Sequence, residues 1–156
     1  MTDDRSGPAH DWEAIASLDR EAQVAAVTAA YAAIARQDEE ARRTSLASAI
    51  ESVYRMPDGQ LISMTEARLR AWLALPDEDA AAVGNSFEAV MDGMPADIAM
   101  RRVTVVQSVA FKLSNEELAH LQRIVPRVLG DSPPATVSMA KGTGKPKPWW
   151  KFWARN

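Results

Sequence analysis

Apolar residues in this chain return at intervals of three and four, a period that suits helices and little else. Val24, Val27, Tyr31 and Ile34 make one stripe at 3–4–3 spacing. Val83, Phe87, Val90 and Met91 make a second, and Ala99, Val103, Val106, Ala110 and Leu113 a third. The run Val103-Thr104-Val105-Val106 is rich in strand-forming residues. No second segment offers it a partner, so it too reads as helix. Alanine supplies much of the 47% apolar content. It favours helix and fills little volume, which predicts closely approaching backbones with a few large residues filling the gaps.

Boundary signals divide the pattern. Asp11 is placed to cap a short helix carrying Trp12, Ile15 and Leu18. From Asp19 the stripe runs to Ile34, fades over residues 37–43, and resumes about 120° out of phase at Leu46, Ile50 and Val53. A turn near Asp38 would give a hairpin. No Gly or Pro marks one, however, and Glu39 and Arg43 are spaced to support continuity. The expectation is therefore one continuous or kinked helix from about 19 to 55. Pro57-Asp58-Gly59 predicts a loop, and Ser63-Met64-Thr65-Glu66 a capping box opening the next helix, which buries Leu69, Trp72 and Leu73. Pro76 ends that helix and begins another whose first turn holds Asp77, Glu78 and Asp79, where the helix dipole favours anions. Gly84 leaves room for a neighbouring backbone. Asp92-Gly93-Met94-Pro95 is a further break, and Ser114-Asn115-Glu116-Glu117 a second capping box, followed by Leu118, Leu121, Ile124 and Val125.

These signals predict an all-α, bundle-like single domain of about five or six helices over residues 10–130. Residues 1–9 are expected to be disordered, 131–148 to be a Pro/Gly/Lys linker and 149–156 an aromatic, basic tail. No internal repeat of solenoid length is visible.

Little in the chain suggests catalysis. It has no cysteine, which excludes thiolate chemistry. Its two histidines are His10 and His120. Glu117 and His120 have the Glu-x-x-His spacing of di-iron helical bundles, but the second such motif is missing, so His120 reads as a surface residue. There is no Gly-x-Ser-x-Gly elbow. Lys141-Gly142-Thr143-Gly144-Lys145 lacks the spacing of a phosphate loop, and Pro146 stands where its helix should begin. The acidic pairs Asp38/Glu39/Glu40, Asp77/Glu78/Asp79 and Glu116/Glu117 suit helix starts and polar faces. No catalytic residue, cofactor or metal is therefore expected. Residues 77–92 carry five acids and no cation, which opposes binding to double-stranded DNA. The pairs Arg42/Arg43 and Arg101/Arg102 read as solvated faces or internal salt bridges.

The remaining signal is at the C-terminal end. Residues 1–131 hold 21 acids against 13 cations, a net −8, whereas residues 132–156 hold five cations and no acid. Lys145, Lys147, Trp149, Trp150, Lys151, Phe152, Trp153 and Arg155 interleave positive charge with large aromatic rings. Tryptophan favours the membrane–water interface and cations favour anionic lipid. The expectation is a non-enzymatic accessory or scaffold protein held peripherally at a membrane by this tail. The alternative is a complex subunit or adaptor whose tail docks into a partner protein, Trp and Arg being enriched in binding hot spots. The N-terminus shows no secretory signal and no apolar run approaches about 20 residues, so a cytoplasmic location is expected, on the inner membrane face where tethered. A helical bundle binding a small molecule among Trp72, Phe87 and Met91 is a further reading.

Overall fold

The computed structural model describes residues 10–129. Among them lie seven helices and no strand: α1 (Trp12–Ala16), α2 (Arg20–Ala35), α3 (Glu39–Val53), α4 (Asp58–Ala74), α5 (Asp77–Asp92), α6 (Ala96–Ala110) and α7 (Asn115–Ile124). The all-α expectation holds. The tail and linker lie outside the described residues.

The architecture is a shell around α4. That helix packs against α1, α2, α5, α6 and α7, while α3 covers α5 and α1. Residues 64–69 of α4 are buried without interruption, so the helix has no solvent face over that length. A helix enclosed on several sides loses the simple apolar stripe of a surface helix. Leu61, Leu69 and Trp72 of α4 meet Val27 and Ile34 of α2, Leu46 and Ile50 of α3, Phe87 of α5 and Leu121 of α7 in one core.

Helix ends follow local chemistry. Asp11, Asp19 and Asp38 each accept a hydrogen bond from the backbone amide three residues on, at 3.0, 2.9 and 2.8 Å. The third of these corrects the continuous helix expected over 19–55. Arg36 ends α2, Asp38 adopts extended backbone, and α3 starts afresh. Asp38 satisfies an otherwise orphaned amide, worth about 1 kcal/mol. That is enough to start a helix without Gly or Pro, and the 120° phase change is the trace of two separate helices.

A second correction concerns Ser63 and Glu66. α4 begins at Asp58, directly after Pro57, so the predicted loop is a first helical turn. Proline needs no amide partner there, and Asp58 favours the positive end of the helix dipole. Ser63 lies inside α4, and its hydroxyl donates to Gln23 Oε1 at 2.6 Å. Glu66 is buried in an ion-pair network instead of capping. The capping box at Ser114 does form: Ser114 Oγ accepts from the Glu117 amide at 3.0 Å, and Glu117 Oε1 from the Ser114 amide at 2.9 Å.

The third correction is one of phase. α6 buries Arg102, Val105, Val106 and Val109, whereas Ala99, Val103 and Ala110 are only partly covered. The apolar stripe is turned by about one residue because an arginine belongs to the buried face.

Gly84 is filled by a side chain, not a backbone. A Cβ there would sit 2.2 Å from Val125 Cγ2, and Val125 is fully buried. Gly84→Ala gains about 1 kcal/mol of helix propensity but forces overpacking that costs about 1–3 kcal/mol. We expect net destabilisation in urea titrations, relieved when Val125→Ala is added.

Candidate functional site: a buried arginine in an aromatic chamber

Arg68 of α4 is 3% exposed. Its guanidinium carbon lies 4.2 Å from the Phe87 ring centre and 5.2 Å from that of Trp72. Desolvated cation–π contacts of this kind contribute about 2 kcal/mol each. Nη1 donates to the Tyr54 hydroxyl at 3.3 Å. Nε and Nη2 have no hydrogen-bond partner among the described residues. Burial opposes the guanidinium charge, but Tyr54, Tyr31 and Glu88 outweigh it and hold its pKa above the ordinary value. The group is cationic throughout the physiological range.

Aromatic rings build the chamber. Trp12, Tyr31, Trp72 and Phe87 follow one another with ring centres 5.8, 6.0 and 5.4 Å apart, the last two contacts edge-to-face. Such pairs add about 0.5–1.5 kcal/mol each beyond burial. Burial pushes the Tyr31 phenol far above its usual range, with Arg68 pulling against it. A cavity of about 10 Å³ remains, lined by Trp12, Tyr31, Tyr54, Met64, Arg68 and Phe87 among others. That is room for a single water.

Two ionic centres flank it. Arg102 of α6 bonds both carboxylate oxygens of Glu88 on α5 through Nη2, and the same nitrogen reaches the carbonyls of Arg127 at 2.9 Å and Val128 at 3.4 Å. Burial raises the Glu88 pKa, with Arg102 the main opposing influence. On the other side, Glu66 is bonded by Arg20, by Arg70 Nε at 2.9 Å and approached by Lys112 Nζ at 3.6 Å. Burial would raise Glu66, but the Arg70 hydrogen bond and the three cations prevail and its pKa is lowered.

Other groups weighed from the sequence take structural places. His120 Nε2 lies 2.8 Å from Asp77 Oδ1, joining α7 to the start of α5. Arg101 pairs with Asp58 at 2.6 Å and donates to the carbonyls of Tyr54 and Met56. Arg43 pairs with Glu39 at 2.8 Å. Trp72, Phe87 and Met91 are core residues, and only Phe87 of the three lines the cavity. Lys145, Lys147, Trp149, Trp150, Lys151, Phe152, Trp153 and Arg155 lie outside the described residues. Sequence reasoning missed Arg68, although a signal existed: Leu61, Met64, Arg68 and Trp72 form a 3–4–4 stripe with a cation in its middle.

The chain matches no protein-family model, and no curated protein or solved structure is significantly similar to it.

The ionic centres generate two predictions. Arg102→Met alone leaves Glu88 buried and unpaired and should cost about 3–5 kcal/mol. Adding Glu88→Leu should recover much of that loss in a urea-unfolding double-mutant cycle. Glu66 behaves differently. Its folded-state pKa lies below the ordinary 4.5, so its contribution is present at neutral pH and lost as pH falls through the folded value. Glu66→Gln should cost about 1–2 kcal/mol at pH 7, a modest figure because Arg20 and Arg70 are partly in water. The gap to wild type should narrow in denaturation series run below pH 4.5.

Proposed function

We propose that the protein is a non-enzymatic accessory or scaffold factor, held peripherally at an anionic membrane surface by its C-terminal Trp/Lys segment. The observation that carries this reading is the charge boundary. All 21 acids lie within residues 1–131, and the 25 residues that follow hold five cations, three tryptophans and no acid. Trp149, Trp150, Phe152 and Trp153 suit the interfacial layer, and Lys145, Lys147, Lys151 and Arg155 suit anionic headgroups. Each cation close to such a surface contributes about 1 kcal/mol. Among the described residues no helix is long and apolar enough to cross a membrane, so any tether of that kind comes from elsewhere in the chain.

The way the helical domain ends supports a tethering role. Val128 is fully buried, Arg127 is paired with Asp92 at 2.6 Å, and the carbonyls of both residues are held by Arg102. Residues 127 and 128 are therefore fixed to α5 and α6. The acidic domain is repelled by the same surface that attracts the segment. This orients the domain outward, where partners can reach it.

Cosedimentation with vesicles containing phosphatidylserine tests the reading. Full-length protein should pellet at low salt and be released near 1 M salt, where the screening length falls to about 3 Å. A truncation after Ala140 should stay in the supernatant. Equal recovery of both forms in the supernatant overturns the proposal and favours docking of the segment into a partner protein.

A further inference from the structure

Four charged side chains are buried among the described residues: Glu66, Arg68, Glu88 and Arg102. Glu66 has three cations around it, and Glu88 and Arg102 hold each other. Arg68 has a phenol and two ring faces but no hydrogen-bonded carboxylate. Glu88 influences it through space only, and both of its oxygens are committed to Arg102. The four buried charges sum to zero, yet Arg68 is the one among them with no carboxylate bonded to it. Leaving a charge uncompensated in such a place is expensive.

The unpartnered atoms are also specific in their arrangement. Nε–H and the adjacent Nη2–H point in parallel from one edge of the planar guanidinium. That edge matches the two oxygens of a carboxylate, the fork-to-fork geometry for which arginine is favoured. Arg68 is the only buried arginine among the described residues with both atoms of an edge unpartnered; Arg102 lacks a partner at Nε alone. The cavity that Arg68 lines is walled by the rings of Trp12, Tyr31, Tyr54 and Phe87 together with aliphatic side chains.

In the closed form the cavity of about 10 Å³ is too small for an organic acid. One of its walls is Trp12, which is 5% exposed and lies against Tyr31. Trp12 belongs to α1, a helix of five residues. A helix that short has no stability of its own. Besides the packing of its indole, α1 is held by Gln23, whose Nε2 donates to the carbonyls of Ala16 at 3.2 Å and Ile15 at 3.4 Å. The indole thus lines the same cavity as Arg68 and is carried on a very short helix.

We propose that the Arg68 chamber binds a small aromatic monocarboxylate, which takes the place of the Trp12 indole and sets its carboxylate on Nε and Nη2 of Arg68. The ring stacks between Tyr31 and Phe87, and the carboxylate gives Arg68 the bonded counter-charge that it lacks. Trp12 is the plug of the site, and binding releases α1. This site is independent of the membrane segment.

The test uses the full-length chain, with indole-3-acetate and its uncharged amide, indole-3-acetamide, as probes of nearly equal shape. In Trp12→Ala the plug is gone. Calorimetry should show indole-3-acetate binding about tenfold or more tighter than the amide, since each tenfold corresponds to the loss of one good charge-assisted contact. Arg68→Met in the same background should remove the difference. Gln23→Ala loosens α1 without altering the chamber wall and serves as a second background if Trp12→Ala fails to fold. Wild type should bind the acid more weakly than either variant, with a fall in tryptophan burial reported by quenching. Equal affinity for acid and amide, or no binding of the acid at millimolar concentration to wild type and the folded variants, overturns the proposal.

Discussion

A helix surrounded by protein must satisfy its polar side chains from within, and α4 sets this demand for the whole domain. Six consecutive residues, 64–69, are out of solvent, and two of them, Glu66 and Arg68, carry charge. These two charges, two residues apart, are resolved differently. Glu66 turns toward the α2 and α6 side, where partly hydrated cations meet it and lower its pKa. Arg68 turns into the aromatic core, where ring faces and a phenol replace counter-ions. In the first arrangement burial of Glu66 is opposed by the Arg70 hydrogen bond and by cations that keep water contact, and these prevail. The second is costly, because aromatic faces contribute about 2 kcal/mol each against a desolvation penalty of several.

The Arg102–Glu88 pair does a different task. Replacing such a pair by apolar residues is often neutral for stability, so its presence calls for a reason beyond energy. Its geometry supplies one. Arg102 joins α6 to α5 through Glu88 and at the same time holds the carbonyls of Arg127 and Val128. Val125, seated against Gly84, and Val128, fully buried, fix the same stretch by packing. The residues after α7 contain Pro126 and adopt no regular helix, so their carbonyls lack ladder partners. One buried guanidinium meets that need for Arg127 and Val128.

Trp12 illustrates how local weakness and global packing are combined. The five residues of α1 could not hold a helix alone. Asp11 caps it, Gln23 binds its C-terminal carbonyls, and Ser63 of α4 in turn holds Gln23. The indole then joins the ring series that ends at Phe87. An element of five residues, attached through Trp12, the half-buried Ile15 and Ala16 and one relay of hydrogen bonds, has few contacts to lose, and openings concentrate in such elements.

Most of the helix content was legible in the sequence, because capping aspartates and prolines act locally and the apolar period is strong. Asp11, Asp19, Pro76 and Ser114 each mark a boundary that forms. The continuous helix over 19–55 failed because Asp38 caps a new start, but the other errors share one origin. Periodicity arguments assume that charge lies outside and apolar groups inside, and here three arginine or glutamate positions on helices invert that. Leaving Arg102 out of the buried stripe of α6 moved that stripe by one residue, although an internal salt bridge was one of the two readings of the Arg101/Arg102 pair. Treating Glu66 as a capping carboxylate moved the start of α4 from Asp58 to Ser63. Passing over Arg68 concealed the chamber altogether, though it stands in phase with Leu61, Met64 and Trp72. A charged residue lying on a helix's own apolar phase is therefore better read as a buried group in search of a partner than as a break in the pattern. What such a partner is depends on tertiary neighbours, Tyr54, Phe87 and Glu88 for Arg68, that are 14 to 20 residues away along the chain and that no local period can specify.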